Sequence, residues 1–521
     1  MKLFRNGFWQ KAITILVVLL ELALVVYLCV AFAEGGIQSH YAIFFLLAFW
    51  LLSLVFGIFI VNSEAENEYK VGWLFLVGSF PLVGAVFYLL FAHKLTTKKA
   101  KAYSKRYYEL LTEEPKQEGL HESLSEYSKE GARIVSLIEK ERSGRLFSNS
   151  EVSYYPLGDD VFPKMIEELE KAKHFIFIEF FIIKPGTMWY SILSILKEKA
   201  KQGVDVRLIY DDVGNLGATP PHYDRTLRKM GIKAHAYRPI KPFLDVRMNN
   251  RNHRKIMVID GHTAFSGGIN IADEYINKEE RFGHWKDNAI MVKGKAVYGY
   301  TLLFIADYES NFGKIGKHID YSLYEPEKYI DEAGGFPASD GYIIPYGDIP
   351  YDDTPIGEEV YISILGGATD YIYMSTPYFL PDEKMRSAIV RASLGGVDTR
   401  LLVPKKPDKK LVFELTRKNY GELLRKGVKV YEYTPGFVHQ KTFVSDDKVA
   451  AIGTINIDYR SLYLHSENAT VLIGNSSIKS IKQDFLDTFA VSEEITLEKW
   501  KKMRRKKIVL WIFLRLFEPL L

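Results

Sequence analysis

The sequence predicts an α/β fold: two tandem α/β domains, with mixed, mostly parallel sheets and helices on both faces, forming one pseudo-symmetric unit behind N-terminal transmembrane helices. Three observations carry this. Strand-like apolar runs alternate with helix-like segments. The alternation occurs twice, with matching residues at matching places. Three long apolar segments crowd the N-terminus. The expected boundaries are a membrane domain at 1–95, a linker at 96–145, two α/β halves at 146–320 and 321–495, and a basic, apolar tail at 496–521.

The membrane segments come first in the chain. Residues 12–33, 41–61 and 72–92 each approach the roughly 20 apolar residues that cross a bilayer. The first carries Glu21, an ionisable group that usually faces other helices when it lies in a span. The third carries Pro81 and Gly84, so it crosses with a kink or dips in and returns. Lys2, Arg5 and Lys11 precede the first segment, Lys70 lies before the third, and Lys94, Lys98, Lys99, Lys101, Lys105 and Arg106 follow it. By the positive-inside rule this bias favours a multi-pass protein of the cell membrane with its α/β body in the cytoplasm.

The two halves echo one another. The aromatic strand 174–183 returns at 371–380, the strand 203–210 at 396–403, and the strand 231–239 at 427–435. Gly203, Gly231, Gly396 and Gly427 each sit where the preceding helix must end. Intervening helices such as 188–201 and 382–394 complete the strand–helix alternation. With 521 residues, 47% of them hydrophobic, the chain can bury a large core in two domains. Its net charge of +4 gives no argument for nucleic acid as a partner. The single cysteine, Cys29, excludes an internal disulfide framework, and no Cys/His zinc pattern is present.

The chemistry lies in a repeated motif. His253, Lys255 and Asp260 are followed by Gly267, Gly268 and Asn270; His439, Lys441 and Asp446 are followed by Gly453, Thr454 and Asn456. Every member of the second set lies 186 positions after its counterpart, from 253 to 439 through 270 to 456. A single His on an apolar strand is as often packed core as chemistry, but the coincidence of two complete sets is not. On a strand, His and Lys at i and i+2 point to one face, so one side chain can attack while the other holds negative charge. The Gly-rich turn lets backbone approach, and Asn270 and Asn456 can offer amide donors to an oxyanion. Two His, two Lys and two Asn around one pocket suit a phosphodiester: one His forms a phosphohistidine and the other moves the proton. Lysine is a poor metal ligand and no carboxylate cluster adjoins the motifs, so neither a catalytic metal nor a cofactor is expected.

These motifs resemble the phospholipase D superfamily and, within it, the bacterial cardiolipin synthases. The segments 252–260 with 267–275, and 438–441 with 453–461, are similar to the family's two signatures, and 203–207, 210–214 and 376–379 are also similar. The resemblance runs from about residue 42 to the end. It implies two phospholipase-D-like domains and the conversion of two phosphatidylglycerol molecules into cardiolipin and glycerol in an anionic membrane, with a homo-oligomer left open. It implies His253 as nucleophile and His439 as general acid and base, reversible by the near-symmetry. Asp260 and Asp446 would support the site, and Asp287 and Glu467 would orient a catalytic His. Gly268 and Thr454 fall among the substrate-binding positions. The sequence departs from the family at Gly267-Gly268, where a Gly-Ser pair is usual, and at Tyr308, His465 and Ser466.

Three rival readings remain: a phospholipid hydrolase using water as acceptor, a nuclease, and a scaffold that keeps the fold without the activity. Intact His and Lys in both halves argue against the scaffold, and the membrane segments against the nuclease. Arg247, Arg251 and Arg254 are expected to bind phosphate. The tail, basic from Lys499 to Lys507 and then apolar, suits an interfacial anchor on anionic lipid.

Overall fold

The computed structural model describes residues 8–34, 37–63, 66–91, 109, 119–239, 250–312, 319–350, 354–515 and 518. Lys2, Arg5, Lys94, Lys98, Lys99, Lys101, Lys105, Arg106 and Arg247 lie outside them, as does much of the expected linker. The described residues form two compact units, one holding 8–91 with 509–515, the other holding 119–239 and 250–508.

In the N-terminal unit, helices α1 (Phe8–Glu34) and α2 (Ile37–Val61) pack as a hairpin. Among the described residues one helix, His40–Val61 within α2, is long and apolar enough by length and composition to cross a membrane. Its Tyr41, Phe44, Trp50 and Phe59 are 66%, 66%, 64% and 65% exposed, which a buried core helix would not tolerate. The third apolar segment is not one helix. It breaks at Phe80 into α3 (Asn67–Ser79) and α4 (Pro81–Phe91). Pro81 opens α4, where its missing N–H costs nothing. Gly84 lets the two helices close up, since a Cβ there would lie 2.7 Å from Cα of Val77. The carboxylate of Glu21 is buried and accepts the N–H groups of Leu82, at 2.7 Å, and Val83, at 2.9 Å. The charge that stands out in the first apolar run thus caps α4, whose first N–H groups have no partner within their own helix.

The second unit contains both α/β halves. The first half supplies β1 (Ser150–Tyr155), β2 (Phe175–Phe180), β3 (Asp205–Asp211), β4 (Lys233–Tyr237), β5 (Lys255–Ile259), β6 (Thr263–Gly267), β7 (His284–Lys286) and β8 (Ala289–Gly294). The second supplies β9 (Tyr342–Asp348), β10 (Tyr371–Ser375), β11 (Asp398–Pro404), β12 (Lys429–Tyr433), β13 (Gly436–Val438), β14 (Thr442–Ser445), β15 (Val449–Gly453), β16 (Glu467–Ile473) and β17 (Ser492–Glu494). Their orders are β1-β8-β6-β5-β2-β3-β4 and β9-β16-β15-β14-β10-β11-β12-β17, one order repeated with an extra edge strand. The duplication read from the motif spacing is therefore a duplication of topology. Helices Val297–Phe312 and Ser477–Ala490 each pack against strands of both sheets, so the halves share one core.

Two expectations are corrected. The sheets are mixed but not mostly parallel: within the two large sheets the parallel pairings are those of β2-β3-β4 and β10-β11-β12, and β7 pairs parallel with β13 apart from them. The strand that begins each motif turns straight back, through residues 260–262 and 446–448, and so short a connection can only join antiparallel neighbours. The described part of the expected linker is body, not tether. Helices Leu120–Tyr127 and Lys129–Lys140 bury Leu124, Ile134, Val135 and Ile138, and the chain after them bridges Gly144 to Tyr346 and Phe147 to Ile343 of β9. The residues before the first half thus complete the second.

Candidate active site

Each motif histidine stands at the end of a short parallel pairing with the opposite half. Strand β13 pairs with β7 so that Val438 lies beside Lys286, and the next residues on each side are His439 and Asp287. A single bridge pairs Asn252 with Ser466, and the next residues are His253 and Glu467. Backbone bonds fix both arrangements: His253 N–H donates to the Ser466 carbonyl at 2.8 Å, and His439 N–H to the Lys286 carbonyl at 2.7 Å. Residues that follow paired residues on parallel strands are neighbours, so each imidazole meets a carboxylate from the other half. Nδ1 of His253 lies 2.8 and 3.0 Å from the Glu467 oxygens, and Nδ1 of His439 lies 2.6 Å from Oδ2 of Asp287. A carboxylate at Nδ1 holds the proton there and leaves Nε2 of a neutral ring as the reactive nitrogen.

Lys255 and Lys441, both about 1% exposed, lie beside them. Lys255 donates to the carbonyl of His253 at 2.8 Å; Lys441 donates to the carbonyl of His439 and lies 3.2 Å from its Nε2. Burial, then the charge of Lys441, pushes Lys255 down to about 7. Burial pushes Lys441 down to about 8 against the pull of Asp287 and Glu467. His439 is held at about 4 by burial and Lys441, with Asp287 acting in the opposite sense, and His253 is held well below its ordinary value, chiefly by burial. Crowded cations that cannot all stay charged alone are what a buried anion would relieve, and a phosphodiester is such an anion.

The remaining predicted residues divide. Asp260 and Asp446, expected to support the site, hold backbone at the far ends of the motif strands. Each lies seven positions along extended chain from its His, roughly 20 Å. Asp260 accepts the N–H groups of Lys173, His174 and Phe175 where β2 begins, and Asp446 accepts those of Thr369, Asp370 and Tyr371 where β10 begins. Asn270 is committed locally: its Oδ1 accepts Ile182 N–H and its amide donates to Tyr275 Oη at 2.7 Å. Asn456 is buried, and its Oδ1 has no partner among the described residues. The hydroxyl of Thr454 donates to Glu467. At the equivalent Gly268 a Cβ would stand 2.0 Å from Oδ1 of Asp287, so a Ser there would require that carboxylate to shift.

Arg251 and Arg254 are not available for phosphate as expected. Arg251 pairs with buried Asp211 at 3.0 Å and Arg254 with buried Asp307 at 2.9 Å. Sequence reasoning missed Asn288 and Asn468, which tie the halves together behind the pocket. Asn288 donates to Thr442 Oγ1 at 2.8 Å, and Asn468 donates to Ser266 Oγ at 2.8 Å while accepting Lys255 N–H at 3.1 Å. The signal was present as an acidic residue followed by Asn, at 287-288 and again at 467-468.

A family model described as "Cardiolipin synthase, PLD-like domain" matches residues 165–300 and 361–488. The chain is 38% identical over 467 residues to an uncharacterized protein of Streptococcus mutans, covering 89% of this chain and 99% of that one. It is 34% identical over 476 residues to a cardiolipin synthase of a Geobacillus species, covering 90% of this chain and 92% of that one. Among solved structures, phosphatidylserine synthase of Haemophilus influenzae shares the fold, with a TM-score of 0.55 at 15% identity over 74% of this chain and all of that one.

Proposed function

The chain belongs to the PLD-like family of cardiolipin synthases and is a phospholipid-modifying transferase, and we propose that it transfers a phosphatidyl group from one phosphatidylglycerol to another. The observation that carries the reading is the pair of histidines, each gripped at Nδ1 by a carboxylate of the opposite half, beside two buried lysines. In the first step Nε2 of His253 attacks phosphorus and the bond to the head-group glycerol oxygen breaks, while His439, protonated at both nitrogens once the phosphate anion is bound beside it, gives that oxygen its Nε2 proton. In the second step a hydroxyl of another phosphatidylglycerol loses its proton to His439, its oxygen attacks phosphorus, and the phosphorus–nitrogen bond breaks. Cardiolipin and glycerol are the products, and the starting proton distribution returns. Lys255 and Lys441 neutralise the non-bridging oxygens. Asn456 offers an amide to the same charge; Asn270, Thr454 and Gly268 shape the pocket through Tyr275, Glu467 and Asp287.

A membrane setting fits both units. In this reading α1 and α2 cross the bilayer, while α3 and α4 enter and return, which puts the start of α1 and the end of α4 on one side, the cytoplasmic one by charge. The tail helix Leu497–Arg515 begins docked on the α/β unit through the Trp500 indole, which donates to the Arg417 carbonyl at 2.8 Å. Beyond it Lys501, Lys502, Arg504, Arg505 and Lys506 are exposed, as are Val509 and Ile512, a composition suited to an anionic lipid surface.

The test is to incubate the purified, detergent-solubilised protein with phosphatidylglycerol alone and follow lipids by mass spectrometry beside His253→Ala. Cardiolipin plus glycerol, absent in the variant, is the expected result. Phosphatidic acid alone would mean a hydrolase, and no turnover of any phospholipid would overturn the enzymatic assignment.

A further inference from the structure

We propose that His253, His465 and Glu467 form an inhibitory site for a transition-metal ion of the zinc type. The third member is a histidine that the transfer chemistry does not use. Its ring lies beside that of His253, with centroids 5.7 Å apart, and its Nδ1 is 3.5 Å from Oε1 of Glu467. Both its ring nitrogens are buried and have no hydrogen-bond partner among the described residues. An imidazole desolvated at both nitrogens, with only a carboxylate 3.5 Å from Nδ1 and nothing at Nε2, carries a free-energy cost that a ligand would remove.

The geometry matches a metal better than a proton relay. One donor atom from each of the three residues can be chosen so that all lie within 4.8 Å of one another. Two sides of the triangle, 3.0 Å from Glu467 to His253 and 3.5 Å from Glu467 to His465, are already close to the roughly 3.3 Å between ligands of a tetrahedral zinc ion. Only the side between the two imidazoles must shorten. Two imidazoles and one carboxylate form a zinc donor set, whereas magnesium and calcium prefer oxygen ligands.

Binding there would stop the reaction through the tautomer of His253, so this inference rests on His253 being the attacking group. With Glu467 at Nδ1, the neutral ring keeps its proton on Nδ1 and its lone pair on Nε2. A metal bonded to Nδ1 displaces that proton to Nε2, and no proton is gained or lost overall. The lone pair needed to attack phosphorus is then gone, and Glu467 is drawn onto the ion. At His439 no third donor of this kind stands beside Asp287 among the described residues, so the inhibition acts on one half alone.

The experiment uses untagged, chelator-washed, full-length protein in detergent. Zinc binding is measured by competition with a chromogenic chelator, and cobalt is added separately to read the visible absorption of a tetrahedral site. Expected are one zinc per chain, inhibition of lipid turnover reversed by chelator, and no effect of magnesium. His465→Asn and His465→Ala, shown by thermal melting without metal to be folded, should bind zinc at least about tenfold more weakly, the loss that removal of even an outer-shell partner can cause. His439→Asn should bind it as the parent does. Equal zinc affinity in the parent and both His465 variants would overturn the site, and zinc bound through His465 without loss of turnover would overturn its inhibitory role. The binding arms need no lipid, so failure of the transferase reading would leave them to stand or fall separately.

Discussion

Asp260 and Asp446 hold the backbone where β2 and β10 begin, and their surroundings decide what their removal costs. Asp260 is 3% exposed and the Phe175 N–H it holds is buried, so Asp260→Ala would leave that group hard to rehydrate, the N–H groups of Lys173 and His174 less so. Asp446 is partly exposed and water could replace much of what it offers. The expected losses are about 2–4 kcal/mol for Asp260→Ala and about 1 kcal/mol for Asp446→Ala, read by denaturant or thermal unfolding, with turnover per folded molecule retained in both. A hundredfold loss of turnover in folded Asp446→Ala would restore it to the catalytic set. Burial opposes ionisation of Asp446, but the N–H groups of Tyr371, Thr369 and Asp370 outweigh it and hold the carboxyl below its ordinary value. Its contribution is therefore full above about pH 4 and fades as the pH falls further, so Asp446→Asn and the parent should converge in acid. Lys441 gives the opposite limb. Phosphate binding favours the charged forms of Lys441 and Lys255, so kcat/KM should fall as pH rises through about 7 and about 8, mainly through KM. An alkaline plateau extending to the ordinary lysine range would exclude their charge from substrate binding. The placing of each His beside its Lys was legible because residues at i and i+2 share a strand face. That the Asp residues support the site was expected, but the N–H groups they hold were not legible, because a motif gives separation along the chain and not hydrogen-bond partners.

At the scale of elements, the short turns after each motif strand were readable and outweighed the strand–helix rhythm that suggested parallel sheets. Asp260 and Gly261 both adopt left-handed conformations, with φ of +48° and +66°, as do Asp446 and Asp447 at +54° and +56°. Asp-Gly between apolar runs is a hairpin signal, and it closes β5 onto β6. The N-terminal segments were legible as apolar runs, but hydropathy records no hydrogen bonds, so the partner of Glu21 could not be read. That partner makes a prediction. Glu21→Gln keeps one acceptor for the N–H groups of Leu82 and Val83, whereas Glu21→Leu leaves both unpaired in an apolar setting. The leucine variant should melt lower by the equivalent of about 2–4 kcal/mol despite its greater hydropathy, and the glutamine variant should lie between. Single cysteines replacing Asn62 and Lys94, in a Cys29→Ser background, should label from the same membrane face. Labelling from opposite faces would mean that the third segment crosses.

Over the whole molecule, the constant offset of 186 residues revealed equivalence between the halves but not exchange between them. Equivalence says that His253 corresponds to His439. It does not say that His253 takes its carboxylate from β16, or that His439 takes its own from the residue after β7. That exchange depends on one isolated bridge and one pair of three-residue strands, too short to carry a periodic signal. It also makes the site indivisible. Asn288 bonds Thr442, Asn468 bonds Ser266, and helices Val297–Phe312 and Ser477–Ala490 serve both sheets, so separating the halves would open a common core as well as the pocket. All these contacts lie within one chain. A mixture of His253→Ala and His439→Ala proteins, combined after folding and reconstituted together in phosphatidylglycerol vesicles, should therefore show no lipid turnover beyond the sum of its parts. Neither chain can borrow the missing imidazole without exchanging a half and breaking that core. The same two variants co-expressed from unfolded chains are the sharper version, because assembly then has its chance. Recovery approaching one quarter to one half of parental activity would mean that halves of different chains pair, and silence in both mixtures would make each chain a complete catalytic unit whatever its oligomeric state.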